Sequence, residues 1–597
     1  MTGTAVQRRR GPQRGEGGGG GGAGSSPGER RQRRGVSALA LAATGAGALL
    51  LLVCALASGS PAAAAPAAAA AAAAKPMPSL AAVAAAAAAM SSGNPLGPPP
   101  VELNPSVMIL GMFDWVPYQD QPPFTSRCSD MVDRAKASAG GTRINFVPTH
   151  YWQDKDSNGG VDAYCYMDSN MDCVRHTAQS IASFRSGLEL CFRRAVEEGL
   201  GLSIVPHLDD GGRTAAWRNG LKFNPKQKYG GFSYEDVMLN PIADALAAAI
   251  AVTPSWVDPL PVWFALQGEM SATVLNYPGE YWYLLKEIRD RFLSGLRRRG
   301  LPETLVAIHS GLTQVGVSFN FNKVLQVNTG GGVGGGSAAS VLARFLGFGP
   351  FMQGRGLLGL GLGPGAGPDG PELDPALAGP ARSLLASPDA AALDLGALRS
   401  LFEEIDFLGI SAYAALDDPD FPMTALQNAA FTFFGEMRDL VGLDVAPIIR
   451  RRGIDLHYSE FGLGGGSSPL GTAAAATPAA AARTPFYGVW GAYVPANDPW
   501  APPAMRAFLH SFFSKTLGWL VQGGGPTYTV SHCFLWGMGS WDVLGIYPES
   551  TMPEGTYKDP QVVDSVRRHN AAAAAAVEQR RQAAMQQAQQ SAPSPGK

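Results

Sequence analysis

The feature that most constrains this chain is a count: between residues 101 and 570, eight short β-rich runs alternate with amphipathic helical stretches. The runs are 107–114 (VMILGMFD), 143–149 (RINFVPT), 202–208 (LSIVPHL), 262–267 (VWFALQ), 305–309 (LVAIH), 407–413 (FLGISAY), 454–458 (IDLHY) and 529–536 (TVSHCFLW). Between them, for example at 180–198 and 281–299, apolar residues recur every three or four positions, the period of a helix with one buried face. Such alternation predicts parallel βα units. Eight of them predict an α/β fold closed as a (β/α)8, or TIM, barrel. An open doubly wound sheet is the competitor, but the first run continues MFDWVPYQD where a dinucleotide fold would carry GxGxxG. The glycines at 330–336 have neither a lysine nor a helix start to cradle phosphate, so no nucleotide cofactor is expected.

The flanks are of a different kind. Residues 1–35 form a Gly- and Arg-rich tail with eight Arg against Glu16 and Glu29, which leaves the remainder of the chain near −8 although the whole carries −2. A body of that sign does not read as a nucleic-acid binder. Residues 36–57 (VSALALAATGAGALLLLVCALA) are apolar and follow Arg30, Arg31, Arg33 and Arg34. A 22-residue run behind a basic flank reads as an export signal, either a type II membrane anchor or a cleaved signal peptide. The expected location is therefore the secretory pathway, membrane-anchored or secreted. Residues 58–100 read as an Ala/Pro-rich stalk and 571–597 as an Ala/Gln-rich C-terminal tail. Biased segments at about 330–395 and 464–483 read as surface insertions into the 101–570 domain.

Of six cysteines, Cys54 lies in the apolar run. Cys128, Cys165, Cys173 and Cys191 cluster and are able to form two disulfides in an oxidising compartment, with three connectivities open. Cys533 sits in an apolar run and reads as a buried thiol. No CxxC or HxxxH constellation with zinc spacing occurs, so no metal is expected.

In a barrel of this type the reacting groups project from the C-terminal strand ends. Those ends carry Asp114 and Trp115, then Trp152 and Asp154 in HYWQD, then His207 and Asp209. Gln267 and Glu269, His309, Tyr413, Glu460, and Trp536 with Asp542 follow. Carboxylates, imidazoles and flat rings on one rim suit a sugar cleft, because rings stack on the apolar faces of pyranoses while the polar groups bond to hydroxyls. Glu269 closes the fourth run and Glu460 the seventh, across the mouth from each other. A lone Glu in such a position is usually a cap or a surface residue; the pairing across the barrel is what marks these two.

Five segments carry a resemblance: THYWQD after the second run, QGEM after the fourth, DFLGISAY at the sixth, HYSEFG at the seventh and LWGMGSWDVLGIYPE at the eighth. Together they resemble clan A glycoside hydrolases, and within that clan the mannanase-like family 113. The resemblance implies a retaining glycosidase that cleaves β-linked glycans of the mannan or β-1,4 type, with Glu460 as nucleophile and Glu269 as acid/base. It also implies that Tyr413 hydrogen-bonds the nucleophile, that Trp536 floors the sugar subsite and that His309 orients Glu269 or a hydroxyl. Trp152, Asp154, His207, Asp209, Gln267 and Asp114 are the further candidates for substrate contact, and a poly- or oligosaccharide is the expected partner. One departure stands beside the acid/base: many clan A enzymes have Asn there, contacting the sugar 2-hydroxyl, and this chain has Gly268. A catalytically silent carbohydrate-binding barrel and a transglycosylase using the same residues are the alternatives.

Overall fold

The structure is a computed structural model of the 597-residue chain. It describes residues 98–110, 125–155, 160–168, 172–212, 217–253, 258–322, 324, 393–416, 418–466, 474–489 and 491–591, all within one compact unit, Pro78–Lys597. The expected tail and export segment, most of the stalk, Asp114 with Trp115, and 325–392 of the first insertion lie outside the described residues. Among the described residues no helix is long and apolar enough to cross a membrane.

The strands are β1 (Leu103–Leu110), β2 (Arg143–Gln153), β3 (Ala163–Met167), β4 (Cys173–Arg175), β5 (Gly201–Ile204), β6 (His207–Asp210), β7 (Val262–Gly268), β8 (Thr313–Asn320), β9 (Phe407–Ala412), β10 (Asp455–Phe461) and β11 (His532–Trp536). Neighbours pair in parallel in the order β1, β11, β10, β9, β8, β7, β5, β2, and β2 returns to β1, so eight strands close into a barrel. β6 continues the course of β5 beyond Pro206, pairing with the second half of β2. Strands buried on both faces need nearly unbroken apolar sequence. β7 (VWFALQG) and β9 (FLGISA) are buried at every position.

The fifth strand is not where the sequence suggests. Residues 305–309 belong to a helix, Glu303–Leu312, and the strand is the following segment TQVGVSFN. A short apolar run is ambiguous between the two states. Pro302 followed by Glu303 is a helix start, and the β-branched alternation begins only at Thr313.

Helices cover the barrel. One of them, α1 (Thr125–Ala139), is bridged to α2 (Ala178–Glu197) by Cys128–Cys191, with Cα atoms 5.5 Å apart. Helix α2 starts because Thr177 and Ser180 form a reciprocal capping box. Its Phe184, Leu188, Phe192 and Val196 recur on one face and are buried, each contributing on the order of 1.5–3 kcal/mol. β2 runs past the barrel to pair antiparallel with β3, and β3 with β4, a flap pinned by Cys165–Cys173. Cys533 is the buried free thiol. In the second insertion Pro478–Arg483 is helical and docks through buried Ala481 and Ala482. Residues 571–591 of the Ala/Gln-rich C-terminal stretch continue a last helix, Pro560–Ser591, anchored where Asn570 caps both the N–H and the C=O of Leu103.

Candidate active site

The C-terminal mouth of the barrel collects the carboxylates the sequence singles out. Glu269 directly follows β7, and Glu460 is the penultimate residue of β10. Both come immediately after irregular strand register, between Ala265 and Gly268 on β7 and between Tyr458 and Glu460 on β10. Such irregularities re-aim a side chain out of the pleat. Glu269 is the one non-glycine residue with positive φ among the described residues, at 58°. That conformation costs about 1–3 kcal/mol and persists only where the surroundings impose it. Here the amides of Gly268 and Glu269 are tied to Pro206 O, between β5 and β6, and to Ser318 O on β8.

Each carboxylate is buried, Glu269 to 6% exposure and Glu460 to 4%, and each is held by donors. Asn320 Nδ2 donates to Glu269 Oε1 at 2.8 Å and Arg218 Nη1 to its Oε2 at 2.5 Å. Tyr413 OH donates to Glu460 Oε2 at 3.0 Å, and His207 Nε2 lies 3.2 Å from its Oε1. Arg218 is clamped further: its Nε donates to Leu208 O at 2.8 Å and its Nη2 pairs with Asp209. One guanidinium therefore stands among three carboxylates, a net negative site.

Charge and burial set the protonation states. Burial raises the pKa of Glu460 well above the ordinary carboxylate range and the charge of Glu269 adds to this, while Arg218 and the Tyr413 hydrogen bond pull it down. Burial opposes the charge of Arg218, but Asp209 and Glu269 more than offset it and hold the guanidinium protonated. Burial, then the charge of Arg218, keeps His207 well below its ordinary value, a neutral ring. Burial beside the two glutamates raises Tyr413, so its hydroxyl remains a donor.

The other sequence candidates are placed as follows. Trp536 is buried in a cluster with Met108, Val147, Tyr413, Met538 and Trp541, packed around the Tyr413 ring. Trp152 points the other way, into the main hydrophobic core, where its strand side chains alternate away from the mouth. Gln267 is fully buried and accepts from the amide of Met270, so it shapes the turn that carries Glu269. Asp154 lies half-buried just past β2. Asp542 caps a turn, accepting from the amides of Ile546 and Tyr547, and burial pushes its pKa up to about 6. His309 is on the helix that precedes β8, its carbonyl accepting from Thr313, and it does not reach the mouth. The end of the true fifth strand supplies Asn320 in its place.

Asn320 and Arg218 were not singled out from the sequence. Arg218 begins a single 3-10 turn outside any βα pattern, and nothing local marks it. The Gly268 departure has a structural reason. A Cβ at this position would lie 2.5 Å from His207 Nε2 and 2.6 Å from Val205 Cγ1, so the imidazole that contacts Glu460 occupies the space an Asn side chain would need.

No protein-family model matches the chain, and no characterised protein matches it in sequence. Among solved structures, a GH113 β-1,4-mannanase is similar at 9% identity and a TM-score of 0.36, covering 79% of this chain and 98% of that one. The GH113 β-mannanase AaManA from Alicyclobacillus acidocaldarius, in complex with ManMIm, is similar at 12% identity and a TM-score of 0.34, covering 80% and 98%. A modular endo-β-1,4-mannanase from Cellulomonas fimi, of glycoside hydrolase family 26, is similar at 15% identity and a TM-score of 0.25, covering 66% and 71%.

Proposed function

We propose that this chain is a retaining glycoside hydrolase acting on β-linked glycans, with Glu460 as nucleophile and Glu269 as acid/base. The observation that carries the reading is the buried, electrostatically coupled pair Glu269 and Glu460, presented from opposite sides of the barrel mouth and each aimed by a backbone irregularity. In a double displacement the Glu460 carboxylate attacks the anomeric carbon while Glu269 protonates the departing oxygen. Glu269 then takes a proton from the water that releases the glycosyl-enzyme, which requires carboxyls about 5–5.5 Å apart.

The surrounding residues divide the labour. Tyr413 holds one oxygen of the nucleophile and, through its hydrogen bond, favours the ionised form that attacks. Both oxygens of Glu269 accept hydrogen bonds in this state, so the acid step requires Oε2 to exchange the Arg218 N–H for its own proton. Asp209 and Leu208 O retain the guanidinium as that contact is released. Substrate class rests on the resemblance of the five sequence segments, which points to mannan or a related β-1,4-glycan. Two disulfides in the described body fit an exported enzyme, with residues 36–57 as anchor or signal peptide.

A silent carbohydrate-binding barrel is the second reading, favoured by Gly268, which has no side-chain amide for the 2-hydroxyl. Incubating the full chain and Glu460→Ala with a panel of β-glycans separates the two. Hydrolysis by the wild type alone, with retained anomeric configuration in the first product by proton NMR, is expected. Inversion overturns the mechanism, and glycan binding without hydrolysis across the panel overturns the enzyme. Added acceptor sugars reveal any transfer to a glycan in place of water.

A further inference from the structure

At the opposite end of the same strands lies a second polar cluster that the chemistry above does not use. Asp455 and His457 are two apart on β10, and strand periodicity puts them on one face. His457 is the register partner of His532, the first residue of β11, so parallel pairing brings the two imidazoles side by side. Their ring centroids are 4.4 Å apart, and one donor atom from each of Asp455, His457 and His532 lies within 4.8 Å of the others. No local sequence spacing announces this set, because strand register assembles it.

His457 is 1% exposed, and neither of its ring nitrogens has a hydrogen-bond partner. Phe407 stacks on one face at 4.5 Å and Trp263 packs at its edge, so apolar rings surround it without satisfying it. A buried polar group left unpaired costs about 1–3 kcal/mol, which makes such an imidazole in a native interior an anomaly that asks for a ligand. Gln314 adds a second unmatched acceptor beside the cluster: its Nε2 donates to Asp455 Oδ2 at 3.3 Å while its Oε1, also buried, has no partner. The nearby cation, Arg143, is already neutralised by Glu102 at 2.8 Å.

We propose that Asp455, His457 and His532 form a divalent transition-metal site, of the zinc type, at the N-terminal pole of the barrel. Two imidazole nitrogens, one carboxylate oxygen and a fourth oxygen suit zinc, whose bonds to such ligands are about 2.0–2.2 Å. Closing the donors onto an ion needs side-chain shifts of about 1 Å. Ser531, donating to Asp455 Oδ1 at 2.8 Å, and Gln314, donating to Oδ2 at 3.3 Å, orient the carboxylate, and each of its oxygens keeps a further lone pair for the metal. Bound there, the ion ties β10 to β11 and, through Gln314, to β8. Its role is structural, and the site stands independently of the function proposed for the mouth.

The test uses the full chain purified without a metal-affinity tag. Elemental analysis measures retained metal, and a chelator-stripped sample is titrated with Co2+ and read by visible absorption, then with Zn2+ and read by thermal unfolding. One equivalent of Co2+ giving the intense visible bands of tetrahedral ligation, displaced by Zn2+, with Zn2+ raising the unfolding temperature, is expected. His457→Ala and the near-isosteric Asp455→Asn should lose both responses. A wild type that takes up neither ion in stoichiometric amount, or a folded Asp455→Asn or His457→Ala variant that binds as the wild type does, overturns the proposal. If His457→Ala does not fold, Asp455→Asn and the wild-type titration decide.

Discussion

Replacing Gly268 probes how the mouth of the barrel is packed. A methyl group there would stand 2.5 Å from His207 Nε2 and 2.6 Å from Val205 Cγ1, both closer than real Cβ contacts come. His207 is 1% exposed and its ring touches Glu460, so relief must come from moving the imidazole, the valine or β7 itself. Inserting such a group into a packed interior costs about 1–3 kcal/mol, and Gly268→Ala should lose that much in urea unfolding. Gly268→Asn adds a polar amide to the same clash and should lose at least as much. Because the ring that moves contacts Glu460, the proposed nucleophile, kcat/KM on a β-1,4-glycan should fall by about a hundredfold, the effect of misplacing a catalytic group by roughly 1 Å. The expected order of both stability and activity is therefore wild type, then alanine, then asparagine. A Gly268→Asn protein that unfolds at the wild-type urea concentration and hydrolyses as fast as the wild type would refute the reasoning, because it would mean that His207 does not claim this space.

Two further outcomes follow from the same geometry. Tyr413→Phe removes the hydrogen bond that favours ionised Glu460, so the already raised pKa of this carboxyl, the proposed nucleophile, rises further. Since the proposed attack requires the carboxylate, activity should be lost as pH falls through that pKa, and the acid limb of the kcat/KM profile should move to higher pH, with kcat down by about tenfold or more; an unmoved limb contradicts the role given to Tyr413. Glu269→Gly and Glu269→Ala should both abolish hydrolysis, yet the glycine variant should be the more stable by about 1 kcal/mol, because only glycine adopts φ near 58° without steric penalty; equal unfolding midpoints would show that the backbone at this turn relaxes.

Much of this protein is legible in the chain itself. Continuous apolar runs such as VWFALQ and FLGISAY announce strands buried on both faces, and the polar residue that closes such a run is by construction at the rim, which is how Glu269, Glu460 and Tyr413 are found. The five-residue run LVAIH is where that logic fails: it satisfies a strand and a helix alike, and the packing of Glu303–Leu312 outside the barrel moves His309 away and brings Asn320 in. Trp152 fails for a related reason, since a strand's period of two sends its ring to the main core while the adjacent Tyr151 packs against Cys165 and Met167 of the flap.

Sequence determined the number of βα units, the helices between them and the two carboxylates at the rim, because periodicity and strand ends are local properties. Tertiary structure alone decided that Arg218 bridges Asp209 and Glu269, that His207 fills the space beside Gly268, and that Asp455, His457 and His532 meet at the far pole. Those contacts join residues on different strands and loops. Their distances are set by barrel closure and strand register, quantities that no window of sequence contains.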